Sequence, residues 1–98
     1  MVQLSKFKWL EFEWDEHNIE ELAYHGIRPW EAEECFYNAH DVYRNKKKLR
    51  REYRSYKLIG RSDSGRTLLL ILFVKEKTKV RSQFGVTALL RIITGWEV

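Results

Sequence analysis

The chain has one cysteine, one proline and one methionine in 98 residues. Cys35 alone excludes an intramolecular disulfide, and a thiolate metal cluster with it. His17, His25 and His40 share no ligand spacing, so no metal site is expected. Nowhere do about 20 apolar residues follow one another, the length that a membrane-crossing helix requires. The N-terminus lacks a basic segment followed by an apolar stretch, so a cytoplasmic protein with no membrane contact is expected. Gly60-Arg61-Ser62-Asp63-Ser64-Gly65 lacks the Gly-Lys-Ser/Thr ending of a nucleotide-binding loop.

What the chain does have is Thr67 to Val74, eight residues without a charge between a Ser/Asp/Gly-rich turn and Lys75-Glu76-Lys77. This reads as the central strand of the fold. Alternation puts Thr67, Leu69, Ile71 and Phe73 on one face and Leu68, Leu70, Leu72 and Val74 on the other, so both faces call for cover. A chain of this length builds one core, giving a single domain over residues 1–98.

Leu10 to Trp14 alternates as a short first strand, with Phe12 on the face of Leu10 and Trp14. Asp15 then caps a helix from Glu16 to about His25, with Trp14 and Ile19 placed for a hydrophobic staple. Ile19, Leu22 and Ala23 form its inward stripe, and Gly26 suits the left-handed residue that ends it. Pro29 opens a second helix reaching Tyr37 or Asn38, with Ala32, Cys35 and Phe36 inward. Extended segments follow at His40–Arg44, Arg54–Gly60, Arg66–Val74 and Ala88–Trp96. The expected class is α+β: a short strand, then two helices packed on one face of an antiparallel sheet.

Charge is unevenly placed. Residues 1–43 hold three basic and ten acidic side chains, residues 44–98 fifteen basic and four acidic. A basic half of this kind suits a polyanion, nucleic acid above all. The plainer reading is a solvated surface whose halves neutralise each other in the fold. Arg44, Lys46, Lys47, Lys48, Arg50, Arg51 and Arg54 fall within one short stretch flanked by Tyr43, Tyr53 and Tyr56. Cations that neutralise phosphate beside rings that stack bases suit single-stranded RNA. An acidic protein partner, or a solvated loop, explains the same stretch.

RNA cleavage without a metal needs a base for the 2′-hydroxyl, cations for the phosphorane's charge and an acid for the leaving oxygen. His25, Lys57, Arg61, Arg66 and Arg91 are the candidates. His25 at a helix C-terminus has its cationic form favoured by the dipole, which suits an acid or a phosphate holder, although it serves equally as a helix-ending residue. Arg91 interrupts an apolar strand, where a guanidinium must be paired or face a polar surface. Cys35 belongs to a buried stripe and reads as an apolar filler.

Phe12-Glu13-Trp14-Asp15, His25-Gly26-Ile27, Glu31-Ala32, Cys35-Phe36, Ile59-Gly60-Arg61-Ser62 with Gly65-Arg66, and Leu90-Arg91-Ile92-Ile93-Thr94 together resemble the BrnT toxins of bacterial type II toxin–antitoxin systems. The likeness spans most of residues 10–96. It implies a RelE-like fold, a ribonuclease that arrests translation, no cofactor, and a BrnA-like antitoxin as partner. From the reading of the residues, the candidate catalytic set is His25, Lys57, Arg66 and Arg91, with Arg44, Lys46, Lys47, Lys48, Arg50, Arg51, Arg54 and Arg61 on RNA. The family usually has an acidic residue and an arginine where this chain has Arg54-Ser55, an arginine where it has Trp96, and a basic C-terminal helix beyond the position of Val98. Arg54, Lys57 or a loop lysine are the candidates to substitute. Without that helix, the second sheet face is expected to be covered by self-association or by an antitoxin segment. The alternative is a relative that binds RNA or protein through the same surface without cleaving.

Overall fold

The computed structural model describes residues 9–45, 54–82 and 85–98. Its elements are β1 (Trp9–Phe12), α1 (Glu16–Tyr24), α2 (Pro29–Tyr37), β2 (His40–Arg44), β3 (Arg54–Arg61), β4 (Thr67–Ser82) and β5 (Gly85–Glu97). They form one five-stranded sheet in the order β1-β5-β4-β3-β2. Among the described strands only the β1–β5 pairing is parallel. The fold is α+β, as the sequence pattern predicts.

The ends of α1 follow from local chemistry. Asp15 Oδ1 accepts from the Asn18 amide at 3.1 Å, and Asn18 Oδ1 accepts from the Asp15 amide at 2.8 Å, a reciprocal capping box. Asn18 Nδ2 also donates to the Glu13 carbonyl at 2.8 Å, so this buried amide lacks nothing. At the other end Gly26 sits at φ +73°, and the Ile27 amide donates to the Leu22 carbonyl at 2.9 Å. The turn between β3 and β4 closes in the same way, with Gly65 at φ +87° and its amide on the Ser62 carbonyl.

One stripe differs from expectation. The buried residues of α1 are Asn18 and Leu22, while Ile19 is 39% exposed and Ala23 is exposed too. Capping holds Asn18 inward and so turns the helix away from the stripe drawn through Ile19 and Ala23. Trp14 stacks near Phe12, with ring centroids 6.4 Å apart, and donates from Nε1 to Glu33. Helix α2 buries Ala32 and Cys35 as predicted.

Beneath the helices lie Leu68, Leu70 and Leu72 of β4, Tyr56 and Leu58 of β3, and Leu90 and Ile92 of β5. Two glycines let the layers close. A Cβ at Gly60 would stand 2.6 Å from the Cys35 carbonyl oxygen, and one at Gly95 would stand 2.6 Å from Leu70 Cδ2. The opposite face is less bare than alternation suggests, since Ile71 and Phe73 are only 7% and 5% exposed within the single chain.

The central strand also outruns its apolar stretch. β4 continues through Lys75-Glu76-Lys77 to Ser82 and β5 begins at Gly85, not Ala88, with Lys75 opposite Leu89 and Ser82 opposite Gly85. Ladder hydrogen bonds between backbones are indifferent to side-chain charge, so the hairpin extends beyond the core that the hydrophobic pattern marks.

Candidate nucleic-acid interface

The register assembles the face of the sheet turned away from the helices, whose centre at Ile71 is buried and whose margins are exposed. Lys57 lies between Tyr43 on β2 and Ile71 on β4, and Ile71 pairs with Thr94 on β5. The neighbouring row is Asp41, Ile59, Leu69 and Trp96, and Arg61 pairs with Thr67. Tyr43 and Trp96 are 46% and 43% exposed. Lys57 and Arg61 are exposed as well, and among the described residues neither has an ion-pair partner. Arg61 borders an open hollow of about 780 Å³ floored by Ile59, Gly60 and Thr67. Asn38 holds one wall of it by donating to the Arg61 carbonyl at 2.8 Å and to Asp63 Oδ1 at 2.9 Å.

Arg44 ends β2 on the other side, opposite Tyr56, and is exposed. Lys46, Lys47, Lys48, Arg50 and Arg51 lie outside the described residues. Arg54 is placed only as the first residue of β3.

The two arginines expected to hold phosphate are committed elsewhere. Arg66 donates from Nη1 to Glu31 Oε2 at 2.8 Å and to the Gly26 carbonyl at 3.0 Å, and from Nε to Glu97 Oε1 at 3.1 Å. Arg91 donates from Nη1 and Nη2 to the two oxygens of Asp15 at 2.8 and 3.2 Å, and from Nη1 to Glu13 Oε1 at 3.0 Å. Lys75 Nζ shares that Glu13 oxygen at 3.0 Å. Hydrogen bonds from Arg91 and the Asn18 amide hold the Asp15 carboxyl down at about 2. Partial burial of Glu13 opposes ionisation, and the hydrogen bonds from Lys75 and Arg91 outweigh it, so its carboxyl also titrates below the usual range.

These contacts put Arg91 at the N-cap of α1 and Arg66 just past its C-terminus. Nine helical residues rise about 14 Å between them. They do not form one site.

His25 is the C-cap of α1. Its Nε2 lies 3.5 Å from Glu21 Oε1, the same oxygen that accepts from Thr94 Oγ1 at 2.9 Å. The His25 ring is 6.4 Å from that of Trp96 and 5.3 Å from that of Tyr24. Among the described residues, β1 pairs with β5 only as far as Leu90. Beyond it Thr94 stands at the sheet edge, where its hydroxyl reaches α1. Thr94 thereby joins His25 and Glu21 to the row that carries Lys57, about 10 Å or two strand spacings away.

The structure thus links His25, through Glu21 and Thr94, to the end of the sheet row that carries Lys57, brings Arg66 to the carbonyl next to His25, and leaves Arg91 apart. The carboxylates that hold the arginines, Glu13, Asp15, Glu31 and Glu97, were not legible as partners because each lies 31 to 78 residues away in the chain. The one usable signal was Arg91 inside an apolar strand, which demands a counter-charge. Cys35 is buried, and desolvation pushes its thiol up to about 11, which suits an inert filler. No His/Cys/Asp/Glu group with metal-binding geometry occurs among the described residues. No helix among them is long and apolar enough to cross a membrane.

No family model matches the chain, and no curated protein matches it.

Proposed function

We propose that the chain is an RNA-directed toxin of the BrnT type: a metal-independent endoribonuclease that cuts RNA, inhibits translation in the cytoplasm and is neutralised by a BrnA-like antitoxin. The observation that carries this reading is the row from Tyr43 and Lys57 to Thr94, Glu21 and His25, with Trp96 beside it. Lys57 and Arg61, free of carboxylates among the described residues, neutralise phosphates. Tyr43 and Trp96 offer faces on which bases stack. His25, whose Nε2 lies 3.5 Å from Glu21 Oε1, takes the proton of a ribose 2′-hydroxyl. The 2′-oxygen then bonds to phosphorus and the bond to the 5′-oxygen breaks. The products are a 2′,3′-cyclic phosphate and a 5′-hydroxyl, whose proton comes from water or from the protonated imidazole. Arg66 and Arg91 serve as clamps of α1 in this scheme.

A second reading has its own support. With Arg66 and Arg91 both occupied by carboxylates, the sheet surface holds no arginine pair among the described residues to stabilise a phosphorane. The same fold then binds RNA or protein without cutting.

Incubating purified protein with single-stranded RNA, beside His25→Ala and Lys57→Ala, tests the choice. Cleavage that falls by about 10²- to 10⁴-fold in His25→Ala is the expected result. Cleavage equal in wild type and His25→Ala overturns the assignment of the base. Salt-sensitive binding with no cleavage by wild type selects the second reading.

A further inference from the structure

We propose that the groove between α1 and the start of α2 is a docking site for a cationic amphipathic helix of another protein. It is lined by Ile19 and Ala23 of α1, by Ile27 and Arg28 of the connection, and by Pro29 and Trp30 of α2, with a volume of about 520 Å³. Ile19 and Ala23 belong to an apolar pattern that would normally be turned inward, yet they are exposed, and Trp30 is 55% exposed beside them. The rotation of α1 that buries Asn18 is what presents them. A surface helix that keeps its large apolar residues outward next to an open tryptophan has the form of a helix-binding groove.

Charge selects the occupant. Glu16 and Glu20 lie one turn apart on α1, next to the Ile19 and Ala23 row, and among the described residues neither carboxylate has a partner. Neither helix contains a lysine or an arginine. Two cations stand at the groove: Arg28, a lining residue whose guanidinium lies over the Trp30 ring at 5.3 Å from its centroid, and Arg66, which donates to the Gly26 carbonyl and is neutralised by Glu31 and Glu97. Apolar anchors spaced three and four residues apart would fill the hollow, and lysines or arginines on the flank would meet Glu16 and Glu20. RNA is disfavoured by the same carboxylates. The proposal stands whether or not the chain cleaves RNA.

The probe is a fluorescent peptide of about five helical turns with leucines at i, i+3, i+4 and i+7 and lysines on the flanks. A scrambled peptide of the same composition, and one with glutamate for lysine, are the controls. Anisotropy should show saturable binding of the periodic lysine peptide alone. Binding should weaken by about tenfold or more in Glu16→Lys/Glu20→Lys and in Trp30→Ala, each checked for an unchanged circular dichroism spectrum. Affinity of both variants for single-stranded RNA at the sheet face should not fall. Equal binding to wild type and to both variants, or to periodic and scrambled peptides, overturns the proposal. A wild-type dimer in sedimentation equilibrium that dissociates in Ile19→Asp assigns the groove to a second copy and overturns it too.

Discussion

Arg91 and Asp15 form a forked pair, Nη1 to Oδ2 at 2.8 Å and Nη2 to Oδ1 at 3.2 Å, on the residue that also caps α1. The same carboxylate thus satisfies the free amide of the helix and the guanidinium of the sheet. Since Glu13 of the preceding segment shares Arg91 and Lys75, the passage from β1 into α1 is tied to β5 and β4 at one point. Arg91→Ala should therefore destabilise the fold, although Arg91 is partly exposed and solvent screens part of the effect. A loss of about 1 to 2 kcal/mol is expected, measured by urea unfolding, with a Tm fall of about 4–8 °C per kcal/mol. An unchanged midpoint would show the pair to be ornamental.

The pH dependence follows from the same carboxyls. Asp15 titrates at about 2 in the folded protein, below its usual value, so the folded state holds its proton less tightly than the unfolded chain does. Its contribution is complete above the unfolded value near 4 and is lost as pH falls toward 2. Glu13 is shifted in the same direction. Stability followed from pH 6 down to about 2 should drop in wild type, and the slope should be shallower in Asp15→Asn. A parallel pair of curves would remove Asp15 from the account.

Gly60→Ala tests how tightly α2 sits on β3. The added methyl would meet backbone, the Cys35 carbonyl at 2.6 Å, which no side-chain rotation relieves. A cost of about 1–3 kcal/mol is expected. Gly65→Ala meets nothing within 4 Å, and its cost comes instead from φ +87°, about 1–2 kcal/mol. Chemical denaturation of both measures the two costs separately, and a Gly60→Ala variant as stable as wild type would mean that the layers part easily.

Cys35 should be silent toward thiol reagents. Its side chain is buried and its thiol pushed up to about 11, so the thiolate is scarce at neutral pH and hard to reach. Reaction with a disulfide reagent at pH 8 should proceed at the rate of global unfolding and accelerate in denaturant. Fast stoichiometric labelling of the native protein would contradict the packing.

Lys57 and Arg61 should each contribute one phosphate contact. Replacing either with alanine should reduce the slope of log K against log salt for single-stranded RNA by about 0.7. Arg66→Ala should leave that slope unchanged, because its guanidinium already serves Glu31 and Glu97. An equal loss in all three would place RNA elsewhere.

Local chemistry wrote much of this fold into the chain. The apolar stretch from Thr67 to Val74, the caps at Asp15 and Gly26, Pro29 at the head of α2 and the turn at Ser62 to Gly65 all depend on neighbours within a few residues, so they were legible. The inward position of Asn18 was not, because it depends on the Glu13 carbonyl and on the way β1 turns into the helix. Nor was the length of β4 and β5 past Val74, since backbone pairing continues where side-chain hydrophobicity stops.

Charge pairing was the least legible of all. By itself the sequence determined that the chain has one α+β core, which side chains carry charge, and that Arg91 must find a partner. Tertiary structure alone decided that Arg91 and Arg66 are spent on carboxylates at opposite ends of α1, while Lys57 and Arg61 stay free among the described residues. The reason is range: caps and turns act over a few residues of chain, whereas an ion pair requires only that two groups meet in space within about 4 Å.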